Sequence, residues 1–340
     1  MRAVVYEEPK KFSVRDVPKP PVSGGQVLIE VKSCGICRTD AHIHNGAFIS
    51  RFPLTPGHEF AGVVAEVGPD VKGFSVGDRV TADNTVLCGE CYYCRRDIPL
   101  FCENFYSLGC NGPGGFAQYV LVGYDKVFSI SDRLSFRQAA FTEPTACAVH
   151  GMDVIEVRPG DDVLVFGAGP TGIILTQLLR HGGAGRVVVC ASSQAKLDLV
   201  ARGGYARTVP MDRSDYGKHA KILREAFPRG FDIVIDATGA SAVLQQAFDF
   251  VKPRGKVVVY GVCGEEETIE VRPYQFFEKE IKLLGSFAQT HCFDRALMFL
   301  EEGIVKVDDL VTDVYGLEDY AAALDRMLFG KDVLKVLVEP

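Results

Sequence analysis

The chain has 340 residues, of which 47% are hydrophobic and 24% charged, and its formal net charge is -7. This length predicts two domains rather than one core. The negative charge and the lack of a basic block argue against a nucleic-acid partner. No apolar run approaches the length of a membrane span, so we expect no membrane partner either. These totals are typical of a soluble enzyme.

Short apolar runs separated by Gly and Pro fill the first third of the chain. They predict strands at 1–6, 26–31, 62–67, 78–80 and 116–122, which together indicate an all-β, barrel-like region. The pattern then changes to alternation, with apolar strands at 162–166, 186–190, 232–236 and 256–261 and helical segments at 171–180, 195–203 and 240–250. Strand and helix in alternation predict βαβ units and a parallel sheet. Helices at 294–302 and 317–328 and a strand at 335–338 would then return the chain to the first domain.

Four cysteines show the spacing C-x2-C-x2-C-x7-C: Cys88, Cys91, Cys94 and Cys102. Four thiolates so close together suit a tetrahedral divalent metal and leave no position open for a substrate. The alternatives are unrelated buried thiols or disulfides, and disulfides need an oxidising compartment. Because no secretory signal is recognisable, we expect a reducing, cytoplasmic setting and a structural zinc site.

A glycine-rich turn follows the strand predicted at 162–166. It reads G-A-G-P-T-G, and the residues expected to bind a dinucleotide are Gly167, Gly169, Pro170, Thr171 and Gly172. Glycines at these positions allow a tight turn and bring the backbone close to a pyrophosphate at a helix N-terminus. The alternative, a simple strand-to-helix turn, is disfavoured by the strand before the motif and the helix after it.

The end of the next strand bears on the choice of cofactor. An NAD site places Asp or Glu there to bind the ribose 2′-hydroxyl. This chain instead has small, hydroxyl-bearing and basic residues, and those assigned to the cofactor are Ala191, Ser192, Ser193 and Lys196. Such residues would tolerate a 2′-phosphate, so the sequence favours NADP over NAD. The alternative is that Asp198 replaces the missing acid, but it falls inside the following helix.

Two further strings contain potential metal ligands: GICRTDAH at 35–42 and GHEFAG at 57–62. Cysteine, histidine and carboxylate together match a catalytic zinc that keeps one position open. With these strings, the four-cysteine lobe and the glycine-rich turn, the chain resembles the zinc-containing medium-chain dehydrogenase/reductase superfamily from end to end. The resemblance implies an α/β protein with a GroES-like β-barrel catalytic domain (1–148 and 286–340) and a Rossmann domain with a doubly wound parallel sheet (149–285).

The resemblance also implies roles for particular residues. The ligands of the catalytic zinc would be Cys37, His58, Glu59 and Glu143, and Glu59 is counted among the catalytic residues. Thr39 and His42 would relay the substrate proton. Arg38 would contact the cofactor pyrophosphate, and Val262 and Ser286 are further expected cofactor contacts. Outside these roles, Cys34 is expected to be a small packing residue and His44 a solvated loop residue.

Glu143 is followed by proline, and a glutamate at this position resembles the polyol (sorbitol-type) branch of the family. Members of that branch carry an arginine soon after the strand near 285–287, whereas this chain has Gln289 and Thr290 nearby. We therefore expect a pentitol such as arabinitol or xylitol, oxidised to its ketose. Candidate walls of the pocket are Phe48, Ile49, Phe105, Tyr106 and Phe287.

Other functions stay open at this point. An NADP-linked secondary alcohol or ketone is the second substrate class, and threonine is the third. Some superfamily members lack zinc and reduce double bonds or quinones, or serve as structural proteins, but here every ligand of both zinc sites is present. The resemblance further implies a homodimer or homotetramer, with edge strands near 268–271 as a candidate contact.

Overall fold

The computed structural model describes the whole chain, Met1–Pro340. It divides into two compact units. The first contains Met1–Ala146 together with Gln289–Pro340, and the second contains Cys147–Ala288. The second unit is thus inserted in the sequence of the first.

Strands dominate the first 155 residues. In chain order the elements are β1 (Arg2–Glu8), β2 (Lys11–Asp16), β3 (Gln26–Ile36), α1 (Arg38–His44), β4 (Glu59–Val67), β5 (Arg79–Ala82), β6 (Thr85–Val86), β7 (Tyr106–Ser107), β8 (Tyr119–Gly123), β9 (Val127–Ser129), α2 (Phe136–Ala139) and α3 (Thr142–Ile155).

The second unit alternates strand and helix. Its elements after α3 are β10 (Asp162–Phe166), α4 (Pro170–His181), β11 (Arg186–Ala191), α5 (Gln194–Arg202), β12 (Arg207–Pro210), α6 (Tyr216–Ala226), β13 (Phe231–Asp236), α7 (Ser241–Phe250), β14 (Val251–Val259), α8 (Pro273–Lys279) and β15 (Lys282–Gly285). The chain ends with α9 (Phe293–Glu301), β16 (Val311–Gly316), α10 (Tyr320–Phe329) and β17 (Lys335–Glu339).

The sheet of the second unit has six strands in the order β12-β11-β10-β13-β14-β15, and every neighbouring pair is parallel. This order is that of a Rossmann sheet, and the strand order reverses between β10 and β13. The central strand β10 is buried along its whole length, as expected of a strand covered on both faces. The predicted βαβ region and its parallel sheet are confirmed.

The sheet of the first unit has seven strands and contains the chain's return segment. Along its path the order is β16-β17-β3-β4-β5-β9, and β8 also pairs with β3. Only β16 and β17 run parallel, while the other pairs are antiparallel. Its apolar core includes Val27, Ile29, Phe60, Phe116 and Tyr320, with Cys34 buried among them as the sequence predicted.

Several boundaries differ from the predictions. The strand predicted at 256–261 is β14, which begins at Val251 and ends at Val259. It ends early because the N–H groups of Tyr260 and Gly261 both donate to the carbonyl of Asp236, which turns the chain across the sheet edge. The helix predicted at 317–328 starts with a separate 3-10 turn, Leu317–Asp319, before α10. The sequence also did not predict β12, α6 and α8. No residue of α8 is buried, so this helix has no apolar face whose spacing could have predicted it.

Candidate active site and metal centres

Four sulfur atoms converge in the loop between β6 and β7. All four Sγ atoms lie within 4.8 Å of one another. The separations are 3.5 Å for Cys88–Cys102, 4.0 Å for Cys88–Cys94 and 4.0 Å for Cys91–Cys102. Tetrahedral zinc with Zn–S bonds of about 2.3 Å places its sulfurs about 3.8 Å apart. The four residues predicted from their spacing therefore form a group that fits a zinc ion.

The protonation of these thiols also favours a cation. Backbone N–H groups of Glu90 and Cys91 lower the pKa of the Cys88 thiol to about 6. Burial and the neighbouring thiols raise the pKa of Cys94 to about 12. The Cys94 thiol therefore stays protonated near neutral pH unless a positive charge compensates its thiolate. A divalent ion would supply that charge.

Three neighbouring strands of the first unit build a second group. Cys37 follows the end of β3, while Glu59 begins β4 and Lys335 begins β17. Because β4 and β17 both run antiparallel to β3, their starts lie beside its end: Gly35 pairs with Glu59, and Ile36 with Val336. The strand pairing thus brings together residues that are up to 298 positions apart, counted from Cys37 to Lys335 (335 − 37).

Cys37, His58 and Glu59 offer ligand atoms within 4.8 Å of one another. His58 and Glu59 are buried, and Cys37 is partly exposed. Gly35 is needed here because a Cβ on it would lie 2.0 Å from Glu59 Oε2. Sulfur, imidazole and carboxylate form a donor set that suits zinc. The residues present fit the metal that the sequence analysis expected.

Sequence reasoning missed Lys335. Its Nζ donates to both carboxylate oxygens of Glu59, at 2.7 and 2.5 Å, and its side chain is 5% exposed. Burial alone would lower the pKa of Lys335, but the charge of Glu59 raises it. The Glu59 carboxylate therefore binds the buried Lys335 ammonium and is also one of the three potential metal ligands. No local motif marks this lysine, since only the pairing of β17 with β3 brings it near.

Asp40 lies behind the group, in the first turn of α1. Its Oδ2 accepts a hydrogen bond from the N–H of Cys37 at 2.8 Å, and its Oδ1 lies 3.8 Å from His58 Nδ1. Both His58 Nδ1 and Asp40 Oδ1 are buried without a hydrogen-bond partner. A carboxylate beside the second nitrogen of a metal-binding histidine orients the ring. Asp40 lies within the 35–42 string, but the sequence analysis assigned it no role of its own.

The groups around His58 favour a positive charge on its imidazole ring. Burial alone would lower the pKa of His58, but the thiol of Cys110 and the carboxylate of Asp40 raise it well above its usual range. Cys110 is buried with Ile43 and Leu54, and Ile49 and Phe52 pack against this cluster. Ile49, one of the expected pocket walls, therefore packs against the cluster that contains Cys110.

Other predicted residues are placed as follows. Glu143 lies in the first turn of α3 and is not a member of the Cys37–His58–Glu59 group. The hydroxyl of Thr39 lies 3.7 Å from Cys37 Sγ, and His42 follows Thr39 by one turn on α1. His44 is not a loop residue as expected: it ends α1, and its Nδ1 lies 3.1 Å from the hydroxyl of Tyr6.

Gln289 is buried. Its Nε2 donates to Asp83 Oδ1 at 2.7 Å and lies 3.4 Å from Thr85 Oγ1, whereas its Oε1 is buried without a hydrogen-bond partner. That Gln289 binds a substrate hydroxyl stays a prediction. Phe48, Tyr106 and Phe287 are all exposed.

The dinucleotide motif lies where the sequence placed it, between β10 and α4. Gly167 has a φ of +112°, which favours glycine, and a Cβ on it would lie 3.0 Å from the carbonyl oxygen of Ala237. Pro170 is the first residue of α4, whose N-terminal N–H groups can bind phosphate. The glycine-rich turn thus has the geometry of a pyrophosphate site.

The turn after β11 contains no carboxylate. Ala191 ends the strand, and Ser193 caps α5 by accepting a hydrogen bond from the N–H of Lys196 at 3.3 Å. Asp198 lies in α5, where its carboxylate accepts from Gln194 Nε2 at 2.7 Å. Ser192 is exposed beside this turn. Val262 and Ser286 follow the carboxyl ends of β14 and β15.

None of the helices combines the length and apolar character that crossing a bilayer requires.

Comparisons with known proteins agree with this geometry. Residues 23–132 match the model of the alcohol dehydrogenase GroES-like domain, and residues 170–302 match that of the zinc-binding dehydrogenase. D-arabinitol dehydrogenase 1 of Uromyces fabae is 42% identical, with 100% of this chain and 97% of that protein covered. Sorbitol dehydrogenase of Bacillus subtilis (strain 168) is 31% identical, with the same two shares covered, 100% and 97%.

A solved structure from Sinorhizobium meliloti 1021, described as a zinc-binding dehydrogenase bound to NADP, is similar over 100% of this chain and 99% of that one. Its TM-score is 0.94 and its sequence identity 32%. With both domain models matched and full-length relatives above 30% identity, the chain belongs to the zinc-containing medium-chain dehydrogenase/reductase family, in its polyol dehydrogenase branch, and is an alcohol or polyol oxidoreductase.

Proposed function

We propose that the chain is a zinc-dependent, NADP-linked dehydrogenase that oxidises a secondary hydroxyl of a pentitol, such as arabinitol or xylitol, to the ketose. The observation that carries this proposal is the group of Cys37, His58 and Glu59 beside the hydroxyl of Thr39. The D-arabinitol dehydrogenase at 42% identity supports the substrate class. The proposal includes two zinc ions, one at the Cys37 group and one at the four cysteines of the β6–β7 loop.

In this proposal the residues divide the work of alcohol oxidation. Zinc bound by Cys37 and His58 would act as a Lewis acid and lower the pKa of the substrate hydroxyl, and the nicotinamide would accept the hydride. Thr39 would receive the hydroxyl proton. His42, one helical turn further, would pass it on as a general acid–base group. Asp40 would orient His58, and Glu59 would complete the metal group when it is released by Lys335.

A second candidate is an NADP-linked secondary alcohol dehydrogenase or ketone reductase, and threonine is a third substrate.

The proposal is tested by initial rates with NADP and NAD against pentitols, hexitols, simple secondary alcohols and threonine. We expect the highest kcat/KM for a pentitol with NADP, and loss of nearly all turnover in Cys37→Ser. The matched control is Cys34→Ser, which changes a buried core thiol three residues earlier. Turnover of simple alcohols but not of polyols would contradict the substrate class, and an active Cys37→Ser enzyme would contradict the mechanism.

Cofactor choice is tested at the end of β11. Ala191→Asp places a carboxylate where the 2′-phosphate of NADP is proposed to bind, so repulsion should move the ratio of kcat/KM for NADP over NAD by about tenfold or more towards NAD. Ala191→Asn has nearly the same size without the charge and should move the ratio much less. An unchanged ratio in Ala191→Asp would contradict the proposed phosphate position.

The pairing of Lys335 with Glu59 is tested by unfolding. Lys335→Met leaves a buried carboxylate unpaired, and breaking a buried pair in this way costs about 3–5 kcal/mol. Lys335→Arg should retain most of the stability. Lys331→Met is the control, since Lys331 is exposed on the same segment. Urea unfolding measures the three variants, and a wild-type free energy of unfolding in Lys335→Met would show that the pair is not important.

We propose further that the chain is a homo-oligomer that uses the free edge of the parallel sheet. The expected edge at 268–271 is wrong in detail, because these residues form no strand and β15 is the last strand of the sheet. Exposed apolar side chains on α8 and β15 form a set, the α8–β15 patch: Tyr274, Phe277 and Leu283. An exposed strand edge beside apolar side chains suits antiparallel pairing with a second copy.

Phe277→Glu should dissociate this oligomer, because it places a charge in the patch. Phe277 is 81% exposed, and the control Phe329→Glu changes a side chain that is 80% exposed on α10. Light scattering after gel filtration gives the mass of each species. If Phe277→Glu keeps the wild-type mass while Phe329→Glu loses it, the patch is not the interface.

A further inference from the structure

The carboxyl end of β13 carries a buried acid that no motif singled out. Asp236 is fully buried and pairs with Phe166 of β10, at the point where the strand order of the parallel sheet reverses. Ligands of such sheets bind outside the carboxyl ends of the strands at this point. The acid therefore stands directly under the proposed dinucleotide site without being exposed to it.

Asp236 organises the turn that follows β13. Its Oδ1 accepts hydrogen bonds from the N–H of Thr238 at 2.9 Å and from the hydroxyl of Thr238 at 2.5 Å. The same hydroxyl oxygen accepts from the N–H of Ala240 at 3.1 Å, just before α7. One carboxylate oxygen thus fixes the backbone from residue 236 to residue 240.

This turn is in close contact with the glycine-rich turn. The N–H of Ala237 donates to the carbonyl of Phe166 at 2.8 Å. A Cβ on Gly167 would lie 3.0 Å from the carbonyl oxygen of Ala237 and 3.1 Å from Thr238 Cγ2. The turn after β13 therefore leaves no room for a side chain at Gly167, and the hydrogen bond from Ala237 joins it to the end of β10.

The turn is equally close to the chain that follows β14. Gly239 has a φ of +67°, and a Cβ on it would lie 2.3 Å from the carbonyl oxygen of Val262. A Cβ on Gly261 would lie 2.2 Å from the nitrogen of Gly239. The carbonyl of Asp236 also accepts from the N–H groups of Tyr260 and Gly261, at 3.0 and 2.7 Å. The turn is thus held between two segments that both carry proposed cofactor contacts.

We infer that Asp236 is a positioning residue for the dinucleotide, which acts through Thr238 to hold the glycine-rich turn and the Gly261–Val262 segment in their binding positions. The inference rests on the proposed function, because it assumes that a dinucleotide binds at Gly167. The hydrogen bonds that position the turn are accepted by Asp236 Oδ1, whereas Asp236 Oδ2 is buried without a hydrogen-bond partner.

The test measures the affinity of the zinc-loaded full chain for NADPH, with the fluorescence of NADPH as the binding signal. Asp236→Ala removes the acceptor and should weaken NADPH binding by about tenfold or more. Asp236→Asn keeps an oxygen acceptor and should stay within about threefold of the wild type. Thr238→Val removes only the hydroxyl link and should weaken binding by an intermediate factor. In steady state the KM for NADP should rise in Asp236→Ala while the KM for the polyol stays unchanged.

Asp232→Asn is the control for a purely structural effect. Asp232 lies near the other end of β13, where its carboxylate accepts from Lys252 at 2.8 Å, so its change should lower stability without changing NADPH affinity. A folded Asp236→Ala or Thr238→Val protein with wild-type affinity would overturn the inference, and so would an Asp236→Asn protein as weak as Asp236→Ala. Failure of the wild type to bind NADPH or NADH would instead overturn the proposed function itself.

Discussion

The group of Cys37, His58 and Glu59 depends on the pairing of β3 with β4 and β17. The ion pair between Glu59 and Lys335 joins the start of β4 to the start of β17. Antiparallel pairing on both sides of β3 places two strand starts beside its end. A carboxylate buried to 1% exposure would be costly without a cation, and Lys335 supplies one from 276 residues away. This pair lets the chain keep a buried carboxylate beside Cys37 and His58.

The same arrangement gives Glu59 two competing partners. A carboxylate hydrogen-bonded on both oxygens by a lysine is a weaker metal ligand than a free one, whereas no lysine hydrogen-bonds Cys37 or His58 among the contacts described above. The fixed ligands of the proposed catalytic zinc are thus the thiolate and the imidazole. Glu59 and Glu143 are the carboxylates that can complete the coordination, which leaves a position for the substrate oxygen.

The sequence predicted the parts of the protein that depend on local chemistry. The four-cysteine group, the glycine-rich turn with Pro170 at the start of α4, and the alternating βαβ pattern all follow from residue type and spacing. It did not predict Lys335, Asp40 or Cys110 beside His58, because these residues reach the site only through strand pairing and helix orientation. It misplaced β14 because the bend at Tyr260 depends on a carbonyl from another strand. His44 was expected in a loop, whereas it is the last residue of α1. Its contact with Tyr6, 38 residues away, could not be predicted from the local sequence.

In the proposed mechanism, alcohol oxidation depends on a zinc ion held by Cys37 and His58, separate from the zinc of the four cysteines. This dependence is tested by elemental analysis of the purified wild type and of Cys37→Ser, combined with the rate of pentitol oxidation. We expect about two zinc ions per chain in the wild type and about one in Cys37→Ser, with polyol oxidation lost together with the missing ion. A Cys37→Ser protein that retains both ions and oxidises the polyol at the wild-type rate would contradict it.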